Sequence, residues 1–227
     1  MPARVRSVLV GRVRPLGPTV SGIDKRPVSG PQRVERLGLV GDEQADLRVH
    51  GGEDKAVLCY AWSNQDHWRG VLPDLPMLHA AGAFGENLSI DGPTEAEVCL
   101  ADRWHIGTAL FEVSQGRQPC WKLNDRFGVE DMARRVQTSG RTGWYLRVLQ
   151  PGVVTAGDAI VLEARPYPQW TLARLMCAID GGECDPVRLR EMLALPLPAS
   201  WQRLFASRLA TAEVESWERR LCGPARA

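Results

Sequence analysis

The spacing of apolar residues in this 227-residue chain changes near residue 165. Before that point, short runs alternate apolar and polar residues or are rich in β-branched residues, which predicts strands. Gly, Pro and Asp residues that favour turns lie between the runs. Many short strands with irregular connections are typical of a closed barrel or a sandwich. The predicted strands are 5–13, 55–61, 108–115, 143–150 and 158–164.

Two helices are predicted within this first part of the chain. Residues 62–72 form the first, and Ser63 is a suitable N-cap. Residues 128–140 form the second, because Glu130 and Asp131 precede it and Gly140 suits a left-handed stop. The fold class predicted for this part is therefore mainly β with a few short helices.

After residue 165, apolar residues recur at a spacing of three and four, which indicates helices over 171–180, 185–195 and 198–221. Asp185 followed by Pro186 is a typical helix start. The sequence thus predicts a β-barrel domain over 1–165 and a three-helix extension over 166–227. The extension carries no motif for chemistry, so we expect it to be a packing or docking appendage.

Composition and charge exclude several classes of protein. The net charge is +1, so no global field favours nucleic acid or an anionic membrane. Arginines interrupt the N-terminal segment, and no run reaches the roughly 18 apolar residues of a membrane span. None of the six cysteines forms a C-x-x-C pair, which excludes zinc-ribbon and iron–sulfur spacings. We therefore expect a cytoplasmic protein.

The residues that flank Cys120 are unusual for a structural cysteine. It follows Pro119, just beyond the predicted strand 108–115, and Arg117 and Lys122 flank it. Cations turned toward the sulfur would favour the thiolate. Such a thiolate can act as a nucleophile, a redox sensor or a soft metal ligand. A lone thiolate cannot hold a metal, which would have to arrive with its own ligands. The alternative is a cysteine packed under Trp121.

Two glycine-containing segments are further candidates. Gly51 and Gly52 permit close backbone approach, and the donors Arg48, His50 and Lys55 surround them in a turn that could cradle an anion. An ordinary tight turn is the alternative.

The second segment, 82–92, contains Glu86 and Asn87 beside Gly85. The Asn87 amide both donates and accepts hydrogen bonds, which suits the edge of a heterocycle. Glu86 is interpreted as a buried acid or a partner for a cation. The alternative is a turn in which Asn87 bonds its own backbone.

In their order along the chain, these segments resemble the MOSC domain family, which is related to the C-terminal part of molybdenum-cofactor sulfurases. The resemblance is close to the YiiM-type branch, which is linked to resistance against 6-N-hydroxylaminopurine, and residues 200–209 look like that branch's three-helix extension. One departure is Gly116, where relatives commonly have proline or a bulkier residue, and this could loosen the Cys120 loop. The matching segments are 41–57, 84–92, 113–124 and 157–164.

The resemblance implies a β-barrel whose cleft holds a molybdenum–pterin cofactor (molybdopterin). It implies that Cys120 supplies a thiolate to molybdenum, with Arg117 and Lys122 near the anionic cofactor. The turn with Arg48, His50, Gly51, Gly52 and Lys55 would hold the cofactor phosphate or line the cleft, and Asn87 and Asn124 would bond the pterin or orient the site.

The function predicted on this basis is reduction of N-hydroxylated compounds, such as N-hydroxylated nucleobases, to amines or amidines. The chain has neither a cluster motif nor a dinucleotide fingerprint, so electrons would come from a separate flavin or iron–sulfur reductase. His50 and Glu86 are candidate proton donors. Two alternatives stay open, a cofactor carrier without turnover and a metal-free thiol enzyme that uses Cys120. The natural substrate and the oligomeric state stay open too.

Overall fold

The computed structural model describes residues 2–46 and 50–224 of the chain. Its strands, in chain order, are β1 Arg4–Val10, β2 Arg14–Leu16, β3 Thr19–Ser21, β4 Arg26–Pro27, β5 Gln32–Glu35, β6 Gly38–Leu39, β7 Val57–Ala61, β8 Leu88–Asp91, β9 Arg103–Ile106, β10 Ala109–Gly116, β11 Trp144–Gln150, β12 Gly152–Val154 and β13 Ile160–Ala164. Its α-helices are α1 Asn64–Val71, α2 Lys122–Phe127, α3 Met132–Ser139, α4 Leu172–Asp180, α5 Pro186–Leu193, α6 Ala199–Thr211 and α7 Glu218–Cys222. Short 3-10 helices lie at Glu53–Lys55 and Pro76–His79.

The centre of the fold is a curled eight-stranded sheet with the order β13-β9-β10-β11-β7-β8-β1-β4. Neighbouring strands are antiparallel except β7 and β8, which are parallel. At one corner, the Val5 N–H donates to the Asp158 carbonyl at 2.9 Å, so the start of β1 meets the chain just before β13. The sheet thus curls into a half-barrel whose two sides approach each other at this corner. The predicted class, mainly β with short helices and a helical C-terminal region, is confirmed.

Three apolar clusters hold the fold together. The largest lies inside the curled sheet and includes Phe111, Trp144 and Leu146. A second lies between β7 and the helices α1 to α3, where Tyr60 and Phe84 stack with ring centroids 4.4 Å apart. The third joins the C-terminal helices to Leu100. Each aromatic side chain buried in this way stabilises the fold by burying a large apolar surface.

The C-terminal helices are joined to the sheet domain by backbone hydrogen bonds. The Leu100 N–H donates to the Trp170 carbonyl at 3.0 Å, and the Leu172 N–H donates to the Val98 carbonyl at 2.8 Å. The division of the chain between residues 165 and 166 stays a prediction. Among the described residues, no helix has both the length and the apolar character needed to cross a membrane.

Two helix ends agree with the sequence and others differ. Ser63 precedes α1, but its side chain makes no capping hydrogen bond. Gly140 ends α3 in the left-handed conformation, and the Asp185 side chain accepts from the Val187 N–H at the start of α5. The third C-terminal helix was predicted to run to residue 221, and this was wrong. It ends at Thr211 because Ala212 turns left-handed with a φ of 54°. Glu218–Cys222 form the separate helix α7.

Gly116 has a packing role at the end of β10. It is buried and pairs with Trp144 of β11. A Cβ at this position would lie 2.7 Å from both Cγ and Sδ of Met176 in α4. The glycine therefore leaves room for α4 to approach the sheet, whereas the sequence suggested that it could loosen the following loop.

Substituting Gly116→Ala is expected to lower the free energy of unfolding by about 1–3 kcal/mol, because the added methyl group overlaps Met176. The double variant Gly116→Ala with Met176→Ala should lose less than the sum of the two single losses, because a smaller residue 176 removes the overlap. Urea unfolding of the four proteins measures this coupling. Strictly additive losses would contradict the proposed contact.

Candidate functional site

The candidate site is a pocket that opens to solvent beside the end of β10. Five stretches of the chain form most of it, and Leu58 and Tyr145 add to its wall: residues 21–25, 42–45, 50–55, 84–87 and 117–122. Residues that are far apart in sequence therefore share one wall. Such a pocket with converging polar groups is the usual setting for a binding site.

Cys120 lies on the loop that joins β10 to α2, and its side chain lines the pocket. The residue is half-buried. Its Sγ lies 3.8 Å from Nε2 of His50, which is 70 residues away in sequence. The structure thus brings the loop that carries Cys120 next to the glycine turn that carries His50.

His50 is neutral near pH 7 in this arrangement. Burial lowers the pKa of His50 to about 4, and the positive charges of Lys122, Lys55 and Arg117 act in the same direction, with Asp46 opposing them. An imidazole with this pKa has lost its proton well below pH 7, so it offers no acidic imidazolium at neutral pH. It can still donate or accept one hydrogen bond beside the sulfur.

Arg117 and Lys122 bring positive charge to the pocket wall. Both are buried. Arg117 donates from Nη1 to the Phe84 carbonyl at 3.0 Å, and Lys122 donates from Nζ to the Val20 carbonyl at 3.3 Å. Within residues 2–46 and 50–224, neither side chain forms an ion pair with a carboxylate. Because a guanidinium carries five N–H groups and an ammonium three, both retain donors for an anion in the pocket.

Lys55 and Lys25 add further positive charge. Burial lowers the pKa of Lys55, while the negative charge of Asp54 opposes this change. Lys25 is buried and forms a salt bridge with Asp42, which also accepts from the Gly11 N–H at 2.8 Å. Burial lowers the pKa of Lys25, and Asp42 opposes it. Sequence reasoning missed Lys25, since no motif surrounds it.

Tyr145 of β11 is a second pocket residue that the sequence reasoning missed. Burial raises the pKa of Tyr145, with Arg117 lowering it and Cys120 raising it. A signal for this residue existed. Trp144 and Leu146 are buried in the sheet core, so the alternation of side chains along a strand directs Tyr145 to the opposite face.

Asn87 lines the pocket, but both ends of its amide are bonded to the backbone. Its Oδ1 accepts from the Leu58 N–H at 3.0 Å, and its Nδ2 donates to the Leu9 carbonyl at 3.2 Å. Asn87 therefore ties together β1 and β7. This geometry differs from the sequence expectation that its amide faces a heterocycle.

Glu86 and Asn124 also have structural partners. The Glu86 carboxylate accepts from the N–H groups of Gly82 at 2.6 Å and Phe84 at 3.1 Å, and its burial raises its pKa. Asn124 donates to the Leu221 carbonyl at 2.9 Å and accepts from the Ala133 N–H at 2.7 Å. Neither residue lines the pocket. Glu86 shapes its own loop, and Asn124 joins α2 to α3 and α7.

The glycine turn meets the pocket at Gly51. Gly51 and Gly52 have φ values of 84° and 83°, which a residue with a side chain rarely adopts. A Cβ at Gly52 would meet no atom within 4 Å, so this position needs glycine for its conformation alone. Arg48, the other predicted donor of this turn, lies outside the described residues.

The described residues contain no group of three or more His, Cys, Asp and Glu side chains that could hold a metal ion. Any metal bound next to Cys120 would therefore need most of its ligands from another source.

Comparison with known proteins identifies the families that this chain matches. The MOSC domain model matches residues 46–161, and the model of a YiiM-like, 3-alpha helix domain matches residues 170–212. Protein YiiM of Escherichia coli is 38% identical over 203 residues, which are 89% of this chain and 91% of that protein. A protein named Reductase from Gibberella moniliformis is 36% identical over 197 residues, which are 86% of this chain but 35% of that protein.

The fold agrees as well. The crystal structure of YiiM from Escherichia coli matches with a TM-score of 0.83 at 32% identity, covering 98% of this chain and 100% of the other. The chain belongs to the MOSC domain family. Within that family it combines the MOSC domain with the YiiM-like three-helix domain.

Substituting Asn87→Ala should lower the free energy of unfolding by about 3 kcal/mol, because a buried N–H and a buried carbonyl lose their partners. Asn87→Asp keeps the acceptor for the Leu58 N–H and loses the donor to Leu9, so its loss should also be substantial. Chemical unfolding of the cofactor-free proteins measures both. Wild-type stability in the Ala variant would show that Asn87 is free to bind a ligand.

Proposed function

We propose that the pocket binds a molybdenum–pterin cofactor, with Cys120 as the protein's thiolate ligand to molybdenum, and that the protein reduces N-hydroxylated compounds. The observation that carries the proposal is a half-buried thiol in a pocket walled by buried cations. Arg117 and Lys122, the two nearest in sequence to the thiol, have only backbone carbonyls as partners in the described part of the chain.

The residues present fit such a cofactor. A phosphate and a dithiolene are anionic, and the positive charges of Lys25, Lys55, Arg117 and Lys122 line the pocket. A single soft thiolate suits a metal that already has sulfur ligands. Gly51 permits close approach of the backbone to the bound group. The membership in the MOSC domain family supports the same cofactor.

Each cation has a distinct proposed role. Arg117 and Lys122 would bind the anionic part of the cofactor and favour the thiolate of Cys120. Lys55, which lies in the glycine turn, would bind the phosphate of the cofactor. Lys25 is already paired with Asp42, so it would contribute less free charge. We leave Asn87 and Asn124 out of direct contact with the cofactor, since their amides are engaged elsewhere.

When bound, the cofactor would supply two-electron redox chemistry. The overall conversion of an N-hydroxylated amine consumes two electrons and two protons, and it releases the amine and water. His50 is neutral, and the Glu86 carboxylate faces its own loop, so both are poor acids at neutral pH in this geometry. The Tyr145 hydroxyl and the Lys122 side chain line the pocket, and their O–H and N–H groups are candidate hydrogen-bond donors to the departing oxygen.

Electrons are proposed to come from a separate flavin or iron–sulfur reductase. This chain has neither a C-x-x-C motif nor a G-x-G-x-x-G fingerprint. The name of the fungal relative supports reductive chemistry, and the matched region covers 35% of that protein. The remainder of that chain is long enough for an electron-donating domain.

A metal-free thiol enzyme is a second candidate, because His50 lies 3.8 Å from the Cys120 sulfur. A neutral imidazole can accept a thiol proton, which is the arrangement of an activated nucleophile. This candidate needs no molybdenum. Metal content therefore separates it from the main proposal.

The Cys120→Ser variant, expressed in cells that make the cofactor, should retain about tenfold less molybdenum than the wild type, because a hydroxyl is a harder and weaker ligand than a thiolate. The matched control is Cys177→Ser, an exposed cysteine in α4. Metal analysis of the three purified proteins measures the difference. Equal molybdenum in all three, or none in the wild type, contradicts the proposed ligand.

Molybdenum-loaded wild type should convert benzamidoxime to benzamidine when a reduced dye supplies electrons, and Cys120→Ser should not. Chromatography of the product measures turnover. Loaded protein without turnover that passes its cofactor to an apo-enzyme would instead identify a cofactor carrier. Turnover in metal-free protein would favour the thiol enzyme.

A further inference from the structure

We propose that Arg220 of helix α7 is a positioning residue that holds the Cys120 loop, so that the C-terminal helices form part of the functional site. The inference deepens the proposed function and rests on it, because the position of the Cys120 sulfur affects function only if Cys120 is a metal ligand or a nucleophile. It replaces the expectation that the extension is a packing or docking appendage.

The guanidinium of Arg220 bridges the loop and α3. Its Nη1 donates to the Pro119 carbonyl at 2.7 Å, and its Nη2 donates to Oε1 of Gln137 at 2.8 Å. The backbone carbonyl of Arg220 also accepts from the Trp121 N–H at 2.8 Å. The residues immediately before and after Cys120 are thus both bonded to Arg220.

Neighbours of Arg220 in sequence strengthen this attachment. The Leu221 carbonyl accepts from Asn124 of α2 at 2.9 Å. A Cβ at Gly223 would lie 2.9 Å from the Trp121 ring, so the chain beyond α7 passes closely over this side chain.

The other end of the loop contacts the extension independently. Met176 of α4 packs on Gly116, the last residue of β10. Trp201 of α6 approaches the same position, at 3.8 Å from where a Cβ would lie. The five residues that separate Gly116 from α2 are therefore held at both ends by C-terminal helices. Such support from outside a site is what fixes a reactive side chain in position.

A second arginine provides a matched control. Arg134 of α3 forms an ion pair with Glu218 of α7 at 3.0 Å, with exposed side chains on both sides. This pair joins the same two helices as Arg220 and Gln137, but it makes no contact with the Cys120 loop. An exposed ion pair of this kind contributes little to stability.

The test uses the full-length, cofactor-free protein and its variants Arg220→Met, Arg220→Lys and Arg134→Met. Alkylation of each cysteine by iodoacetamide is followed by peptide mass spectrometry. Exposed Cys177 is the internal reference, and buried Cys59 reports global unfolding. Hydrogen exchange of peptides that contain Trp121 reports opening of the loop directly.

Arg220→Met should raise the alkylation rate of Cys120 relative to Cys177 by about tenfold, because the charged hydrogen bond to the Pro119 carbonyl is lost together with the one that anchors the guanidinium to Gln137 of α3. Arg220→Lys should recover part of the protection, since its ammonium can still reach the Pro119 carbonyl. Arg134→Met should match the wild type, and Cys59 should stay protected in all variants.

Equal Cys120 rates in the wild type and Arg220→Met would overturn the inference. So would equal effects of Arg220→Met and Arg134→Met, because the effect would then belong to α7 as a whole. If Arg220→Met exposes Cys59, that variant has unfolded and Arg220→Lys is used in its place. A folded Arg220→Lys protein with the wild-type alkylation rate at Cys120 and the wild-type hydrogen exchange at Trp121 counts against positioning by the guanidinium. None of these measurements needs molybdenum, so the result is independent of whether the cofactor proposal fails.

Discussion

The structure depends on burying positive charge next to a thiol without supplying matching carboxylates. Burial of an unpaired cation is costly, and backbone carbonyls compensate only in part. Arg117 and Lys122 have carbonyl partners, whereas Lys25 has Asp42. A fold selected for stability alone would place Asp or Glu beside the first two. Their arrangement is therefore best explained by an anionic ligand that completes the pocket.

The pocket wall is possible because backbones approach each other closely there. A Cβ at Gly22 would lie 2.1 Å from the Glu43 carbonyl oxygen, and one at Gly11 would lie 2.6 Å from the Gly22 carbonyl oxygen. These contacts pack the segments 21–25 and 42–45 against β1 with no side chain between them. As a result, Lys25 and Asp42 line the same pocket as the glycine turn and the Cys120 loop.

Local patterns predicted the strands of five or more residues, missed the eight shorter strands of the described chain, and predicted the side-chain partners poorly. The five predicted strands all exist, since alternation along a strand reflects burial on one face. Helix α2 was missed because its six residues are too few to show a periodic pattern of apolar residues. Lys25 was missed because only tertiary contacts bring it to the pocket. Asn124 and Glu86 were assigned from residue type, which does not reveal that backbone groups already occupy their polar atoms.

The charges that suit the pocket for an anion also determine its acid–base chemistry. Positive charge that favours a thiolate and a phosphate disfavours an imidazolium, which is why the same Lys122, Lys55 and Arg117 contribute to the low pKa of His50. Negative charge in the pocket would offset these cations, whereas burial, the largest cause of the low pKa, would remain. Binding of an anionic cofactor would supply that charge, so ligand binding and the protonation of His50 are thermodynamically linked.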